Sequence, residues 1–138
     1  MADSKSANDP VRALLQERGA AKHVIEGGLE GLVDNWERIV EAVGEGYNPG
    51  LDDYLNDMDV RQLIEAALEI ATQAQVRDIG RRLNTADETM QSLIEPAGRC
   101  LWGEEVAEEE GWNKRDNWWY FTRPIDAGDE LLEELDEE

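Results

Sequence analysis

The 138-residue chain has one cysteine, one histidine and three lysines. A single cysteine, Cys100, cannot form an internal disulfide, so we expect a reducing compartment, by default the cytoplasm. No apolar run approaches the roughly 18 residues that a membrane-spanning helix needs, so we expect no membrane partner. The first ten residues, MADSKSANDP, contain no apolar stretch and do not predict a secretory signal.

Basic residues are scarce as a class. Thirteen Lys and Arg stand against 33 Asp and Glu, which gives a net charge of −20. We expect no direct nucleic-acid binding, because a polyanion is repelled where counterion release would normally drive association. The charge allows a basic protein as partner. Taken alone, it is better explained by solubility, because acidic surfaces are common, and a salt-adapted proteome is another source of such a bias.

The apolar residues, which make up 41% of the chain, recur mostly at three- and four-residue spacing, as in amphipathic helices. Asn8 or Asp9 followed by Pro10 predicts the start of a first helix. The apolar positions between Ile25 and Val43 predict a longer one, which ends at the stretch GEGYNPG. Its glycines indicate close helix packing or a break near Gly28.

Further helices are predicted between residues 59 and 111. Asp59 with Gln62, and Thr85 with Glu88, have the spacing of a capping box and predict two helix starts. The apolar residues that follow Pro96 predict a last helix, closed by Gly111.

These patterns predict a mainly α protein with a single compact helical domain of four to six helices at residues 9–123. We interpret residues 1–8 as a polar flexible arm. Residues 124–138 carry eight acidic residues and no basic one, so we expect an acidic flexible tail. The stretch NWWYFT near the C-terminus is typical of a strand and predicts a short extended aromatic segment or one small hairpin.

Six of the nine aromatic residues lie between Trp102 and Phe121. In an extended chain, neighbouring side chains point to opposite sides, so we expect one face of residues 117–121 to pack on the core. The other face can be covered by another element or form an interaction surface. The aromatic candidates for binding are Trp112, Trp118, Trp119 and Tyr120.

Four of the ten arginines form a locally basic island between residues 60 and 85: Arg61, Arg77, Arg81 and Arg82. Arg77 and Arg81 lie one helical turn apart and could bind a carboxylate or a phosphate in a bidentate manner. We take both as candidate binding residues. The alternative, which we favour, is that these arginines pair with the abundant acidic residues of the chain itself.

The histidine, His23, precedes Glu26 and Glu30 on one helix face and would supply at most half a metal site, so we predict no metal and no cofactor. In the stretch RGAAKH, four residues separate Arg18 from His23. This spacing resembles the R-x4-H motif of the HEPN family, helical proteins that include ribonucleases. The resemblance covers six residues, and Gly19 replaces the polar residue that usually follows the arginine. It implies phosphodiester cleavage by Arg18 and His23 at a dimer interface.

Two functions follow from the sequence. The first is a small, acidic, non-catalytic interaction protein that binds or inhibits a basic protein partner. The alternative is a small helical enzyme that acts on a phosphate-containing substrate through Arg18 and His23 or the basic island. The two differ in whether His23, Arg18 and carboxylates converge in one pocket.

Overall fold

The computed structural model describes residues 9–137, so the predicted arm at residues 1–8 lies outside the described residues. Within that range, six α-helices and one two-stranded sheet confirm the mainly α prediction of a single compact domain. None of these helices combines the length and the hydropathy that crossing a bilayer requires. The elements are α1 (Pro10–Glu17), α2 (Lys22–Gly44), α3 (Leu51–Ile70), α4 (Gln73–Ser92), β1 (Ile94–Pro96), α5 (Glu104–Glu110), a 3-10 turn (Trp118–Tyr120), β2 (Thr122–Pro124) and α6 (Asp129–Glu137).

The start of α1 and the glycine break in α2 agree with the sequence. The Asp9 side chain accepts hydrogen bonds from the backbone amides of Val11 and Arg12 at 2.9 and 3.2 Å, and Pro10 occupies the first turn. Gly28 has a φ of 59° and a ψ of −152°, which interrupts the helical backbone. A Cβ there would lie 3.3 Å from Nε of Arg12, so both the conformation and the close approach of α1 favour glycine.

The two helix starts predicted at Asp59 and Thr85 are wrong. Helices α3 and α4 run through these positions without interruption. The capping box lies at Thr72, between the two helices. The Thr72 Oγ1 accepts from the Gln75 amide at 3.1 Å, and the Gln75 Oε1 accepts from the Thr72 amide at 2.9 Å. The Asp59 side chain is engaged in tertiary hydrogen bonds instead.

Helix α2 is the centre of the domain and packs against α1, α3 and α4. Its buried stripe shares one core with aromatic side chains from distant parts of the chain. The largest fully buried side chains are Trp36, Trp119, Tyr47, Tyr54 and Tyr120.

The aromatic segment adopts a different conformation from the one predicted. Trp118–Tyr120 form a 3-10 turn, and only Thr122–Pro124 are extended, paired antiparallel with Ile94–Pro96. Neighbouring side chains in such a turn do not alternate between two faces. Trp119, Tyr120 and Phe121 are all buried, whereas a strand would have directed neighbouring side chains to opposite faces.

The structure has a packed helix where the sequence predicted a flexible tail beyond residue 123. Helix α6 packs on α3, and its Leu131 and Leu135 are buried. Two leucines four residues apart share one helix face, so the acidic residues can stay outside. The Leu51 amide, at the start of α3, donates to the Glu134 carboxylate at 3.3 Å. A helix N-terminus favours negative charge, which gives one tail acid a stabilising role.

Replacing Leu131 by Ala tests this docking. Leu131 is fully buried, so we expect the free energy of unfolding to fall by about 2–4 kcal/mol. Urea denaturation followed by circular dichroism gives the value. Leu132→Ala is the matched control: this neighbour on the same helix is partly exposed and should cost less than about 1 kcal/mol. Equal and small losses in both variants would show that α6 does not pack on the domain in solution.

Candidate functional site

A cleft of about 640 Å³ lies between the end of α1, the middle of α3 and the segment around α5. Aliphatic side chains form part of its wall, and the remainder combines aromatic rings with charged groups. We call it the aromatic cleft and define it by Arg18, Asp59, Trp102, Glu110, Trp112 and Tyr120.

Two of the three aromatic rings of the cleft stack on each other. The rings of Trp112 and Tyr120 stack with centroids 4.1 Å apart and planes inclined by 24°. Gly111 makes this possible, because its left-handed conformation, with φ at 73°, ends α5 and turns the chain back. The Trp112 amide donates to the Ala107 carbonyl at 2.9 Å, which fixes the turn.

Asp59 joins the two sides of the aromatic wall. Its Oδ1 accepts from Nε1 of Trp102 at 3.1 Å and from the Tyr120 hydroxyl at 2.6 Å. Burial, followed by the hydrogen bond and the charge of Asp59, raises the pKa of Tyr120 far above its ordinary value. The phenol therefore remains a proton donor to Asp59 at any physiological pH. Trp102 is 37% exposed and presents its ring to solvent.

The charges of the cleft leave it acidic. Asp59 and Glu110 contribute two carboxylates, and neither forms an ion pair with any residue of the range 9–137. Arg18 contributes one positive charge from the end of α1, where it is exposed. The wall therefore combines the partly accessible rings of Trp102 and Trp112 with two carboxylates that are not held in an ion pair within the described chain, as sites for organic cations do.

A buried ion pair lies behind this wall. Arg61 donates to both carboxylate oxygens of Asp87, at 3.0 and 2.8 Å, and to Glu65 at 2.8 Å. Its guanidinium lies 4.6 Å from the centroid of the Trp119 ring. Burial lowers the pKa of Arg61, but Asp87 and then Glu65 outweigh it, so the pKa is raised. Asp87 also accepts from Nε1 of Trp36 at 3.0 Å, which ties α4 to α2.

Gln62 fixes the aromatic segment on α3. Its Oε1 accepts from Nδ2 of Asn117 at 3.0 Å and from Nε1 of Trp119 at 3.2 Å. Gln62 and Asp59 are three residues apart and so share the face of α3 that meets the aromatic residues. The spacing of Asp59 and Gln62, which suggested a capping box, thus reflects this contact face. The sequence interpretation did not identify either residue as part of the site.

The structure separates the four aromatic binding candidates. Trp112 and Tyr120 meet in the aromatic cleft, where Trp112 is half-buried and Tyr120 is buried. Trp118 is half-buried, and its ring lies 6.5 Å from that of Trp36. Trp119 is 1% exposed and belongs to the core, so it offers no accessible surface. Trp102, which the sequence interpretation did not select, is the accessible ring of the cleft.

The basic island divides into paired and unpaired arginines. Arg82 pairs with Glu30, Asp34 and Glu37 of α2, and Arg61 pairs within the core. The favoured interpretation, pairing with the chain's own acids, therefore holds for these two. Arg77 and Arg81 are exposed on α4, outside the aromatic cleft, and have no ion pair within the described chain.

Arg18 and His23 do not converge on the cleft. Arg18 lines it, whereas His23, exposed in the first turn of α2, is absent from the described wall. Within residues 9–137, no three His, Cys, Asp or Glu side chains are grouped so that they could hold a metal ion. No protein-family model, curated protein or solved structure matches this chain.

Proposed function

We propose that this chain is a small, acidic, non-catalytic interaction protein of the cytoplasm that binds or inhibits a basic protein partner. The observation that carries the proposal is the aromatic cleft. There, the exposed ring of Trp102 lies beside Asp59, and the wall continues through Trp112 to Glu110. Partly accessible tryptophan and tyrosine rings are the residues that most often anchor protein interfaces.

The net charge of −20 supports a basic partner. An acidic surface attracts a cationic protein over a distance comparable to the Debye length, which increases the association rate and makes it depend on salt. In this proposal the surface acids accelerate the encounter, while the aromatic cleft holds the complex together. The two contributions differ in their response to salt, because apolar and cation–π contacts inside a cleft are less screened.

A capture experiment tests the proposal. Tagged protein is incubated with a lysate of its own host at low salt and washed at rising salt, alongside the variant Trp102→Ala. We expect a basic protein that the wild type retains and that Trp102→Ala releases at clearly lower salt. Ile125→Ala is the matched control, because Ile125 is 58% exposed and lies outside the cleft.

Two results would contradict the proposal. If Trp102→Ala and wild type retain the same proteins at the same salt, the cleft is not the binding site. If the retained proteins are acidic or neutral, the partner is not selected by charge. Thermal unfolding of both variants should remain close to wild type, since both residues are exposed.

A further inference from the structure

The aromatic cleft contains the groups that recognise one particular cation. Tryptophan is the ring that binds cations most strongly, and two tryptophans and a tyrosine line this cleft. Trp102 and Trp112 supply the accessible ring surface: Trp102 is 37% exposed, and the half-buried Trp112 is held in place by its stack on Tyr120, which is 1% exposed. A planar guanidinium stacks on such surfaces, whereas a lysine ammonium is a compact and more strongly hydrated charge.

The carboxylates of the cleft retain the capacity to accept further hydrogen bonds. Both donors that reach Asp59, from Trp102 and Tyr120, use its Oδ1. A carboxylate has about four lone-pair sites, so Oδ2 of Asp59 can still accept. The Glu110 carboxylate makes no hydrogen bond or ion pair with the described residues. Two such acceptors suit the fork of N–H donors that a guanidinium presents.

The same chain already holds a guanidinium in this way. Arg61 lies over the ring of Trp119 at 4.6 Å while two carboxylates, Asp87 and Glu65, accept its N–H groups. The aromatic cleft repeats that combination of ring and carboxylates at the surface. Its remaining charged residue, Arg18, repels a cation and leaves the side formed by Asp59 of α3 and Glu110 of α5 as the favourable place.

We propose that the aromatic cleft receives an arginine side chain of the partner, stacked on the rings of Trp102 and Trp112 and paired with Asp59 and Glu110. This inference rests on the proposed function and specifies the residue through which the basic partner is anchored. An arginine anchor also agrees with interfaces in general, where tryptophan, tyrosine and arginine dominate the binding energy.

Short capped peptides test the proposal directly. The peptide acetyl-Gly-Arg-Gly-amide is titrated into ¹⁵N-labelled protein, and the same peptides with lysine or with citrulline are titrated in parallel. Citrulline preserves the planar shape of arginine and lacks the charge. The indole N–H resonances of Trp102 and Trp112, assigned with single Trp→Phe variants, report the cleft. We expect saturable shifts of both with arginine, and binding weaker by about tenfold with citrulline and by several-fold with lysine.

A matched pair of variants separates contact from overall charge. Glu110→Gln should weaken the arginine peptide by about fivefold or more, because it removes a carboxylate of the cleft. Glu109→Gln removes the same charge from the adjacent position of α5, which lies outside the cleft, and should change the affinity less than about twofold.

Several results would overturn the proposal: equal affinity for the citrulline or lysine peptide, equal losses in the two glutamate variants, or no saturable indole shift with arginine. The proposed function would fail differently. Suppose that wild type retains a basic protein, that Trp102→Ala releases it at lower salt, and that the arginine peptide does not bind. The proposed function then stands, and the cleft binds its partner through other chemistry. If the peptide binds in the cleft but no basic protein is retained, the arginine site stands and its partner is not a basic protein.

Discussion

Replacing Arg61 by Ala is expected to lower the free energy of unfolding by about 3–5 kcal/mol. The arginine side chain is 7% exposed, and its removal leaves the largely buried carboxylate of Asp87 without its cation. The cost comes mainly from that stranded charge, because an ion pair of this kind contributes little beyond the desolvation of its two members. Urea denaturation at neutral pH, followed by tryptophan fluorescence and circular dichroism, measures the loss.

Arg82→Ala is the matched control for this experiment. Arg82 has more carboxylate partners than Arg61, namely Glu30, Asp34 and Glu37, but all four side chains are at least 36% exposed. Water replaces the lost partner there, so we expect a loss of about 1 kcal/mol or less. A similar loss in the two variants would mean that burial does not determine the effect, and that Arg61 is not enclosed in solution as it is in the structure.

Local patterns in the sequence were sufficient to predict a helix where its start, end and breaks depend on its own residues. The apolar spacing between Ile25 and Val43 predicted the long helix and its end, and the glycines indicated close helix packing or a break near Gly28, where the structure has a break. The cap formed by Asp9 and Pro10 was equally local. These features depend on contacts within a few residues of each other, and helix periodicity and capping describe such contacts well.

The predictions failed where a side chain has its partner far along the chain. Asp59 looked like a helix cap because Gln62 follows it, but it binds Tyr120, 61 residues away. The charge of residues 124–138 predicted a flexible tail, yet the packing of α6 depends on Leu131 and Leu135 rather than on the number of acids. Composition averages over a segment, whereas packing depends on which face the few apolar residues share.

The candidate site was predictable in kind but not in detail. The density of aromatic residues indicated a core or a binding segment; in the structure Trp119, Tyr120 and Phe121 are buried in the core, and Trp112 lines the aromatic cleft. The different burial of Trp118 and Trp119 depends on the 3-10 turn at Trp118–Tyr120, because a turn rotates each side chain by a different angle from a strand. The sequence interpretation did not select Trp102, because it stands apart from the other aromatic residues of its region and its hydrogen-bond partner, Asp59, is 43 residues away.

Trp119→Ala is expected to destabilise the protein by about 3–5 kcal/mol, and Trp118→Ala by about 1–2 kcal/mol. The Trp119 side chain is fully enclosed, so its removal opens a large cavity in the core. It also removes the ring over the Arg61 guanidinium and the donor to Gln62. Trp118 is half-buried and can be truncated with partial access of water to the gap. Urea denaturation of both variants provides the comparison.

Trp119→Phe separates two causes of the larger destabilisation, the loss of the aromatic ring and the loss of the hydrogen bond to Gln62. Phenylalanine retains an aromatic ring near Arg61 but cannot donate to Gln62, so we expect the loss to fall to about 1–2 kcal/mol, the cost of leaving one polar partner unsatisfied plus some lost volume. If Trp119→Phe is as damaging as Trp119→Ala, the hydrogen bond to Gln62 controls the segment. If Trp118→Ala costs as much as Trp119→Ala, the two neighbours share the core equally, and the turn at Trp118–Tyr120 does not set their different burial.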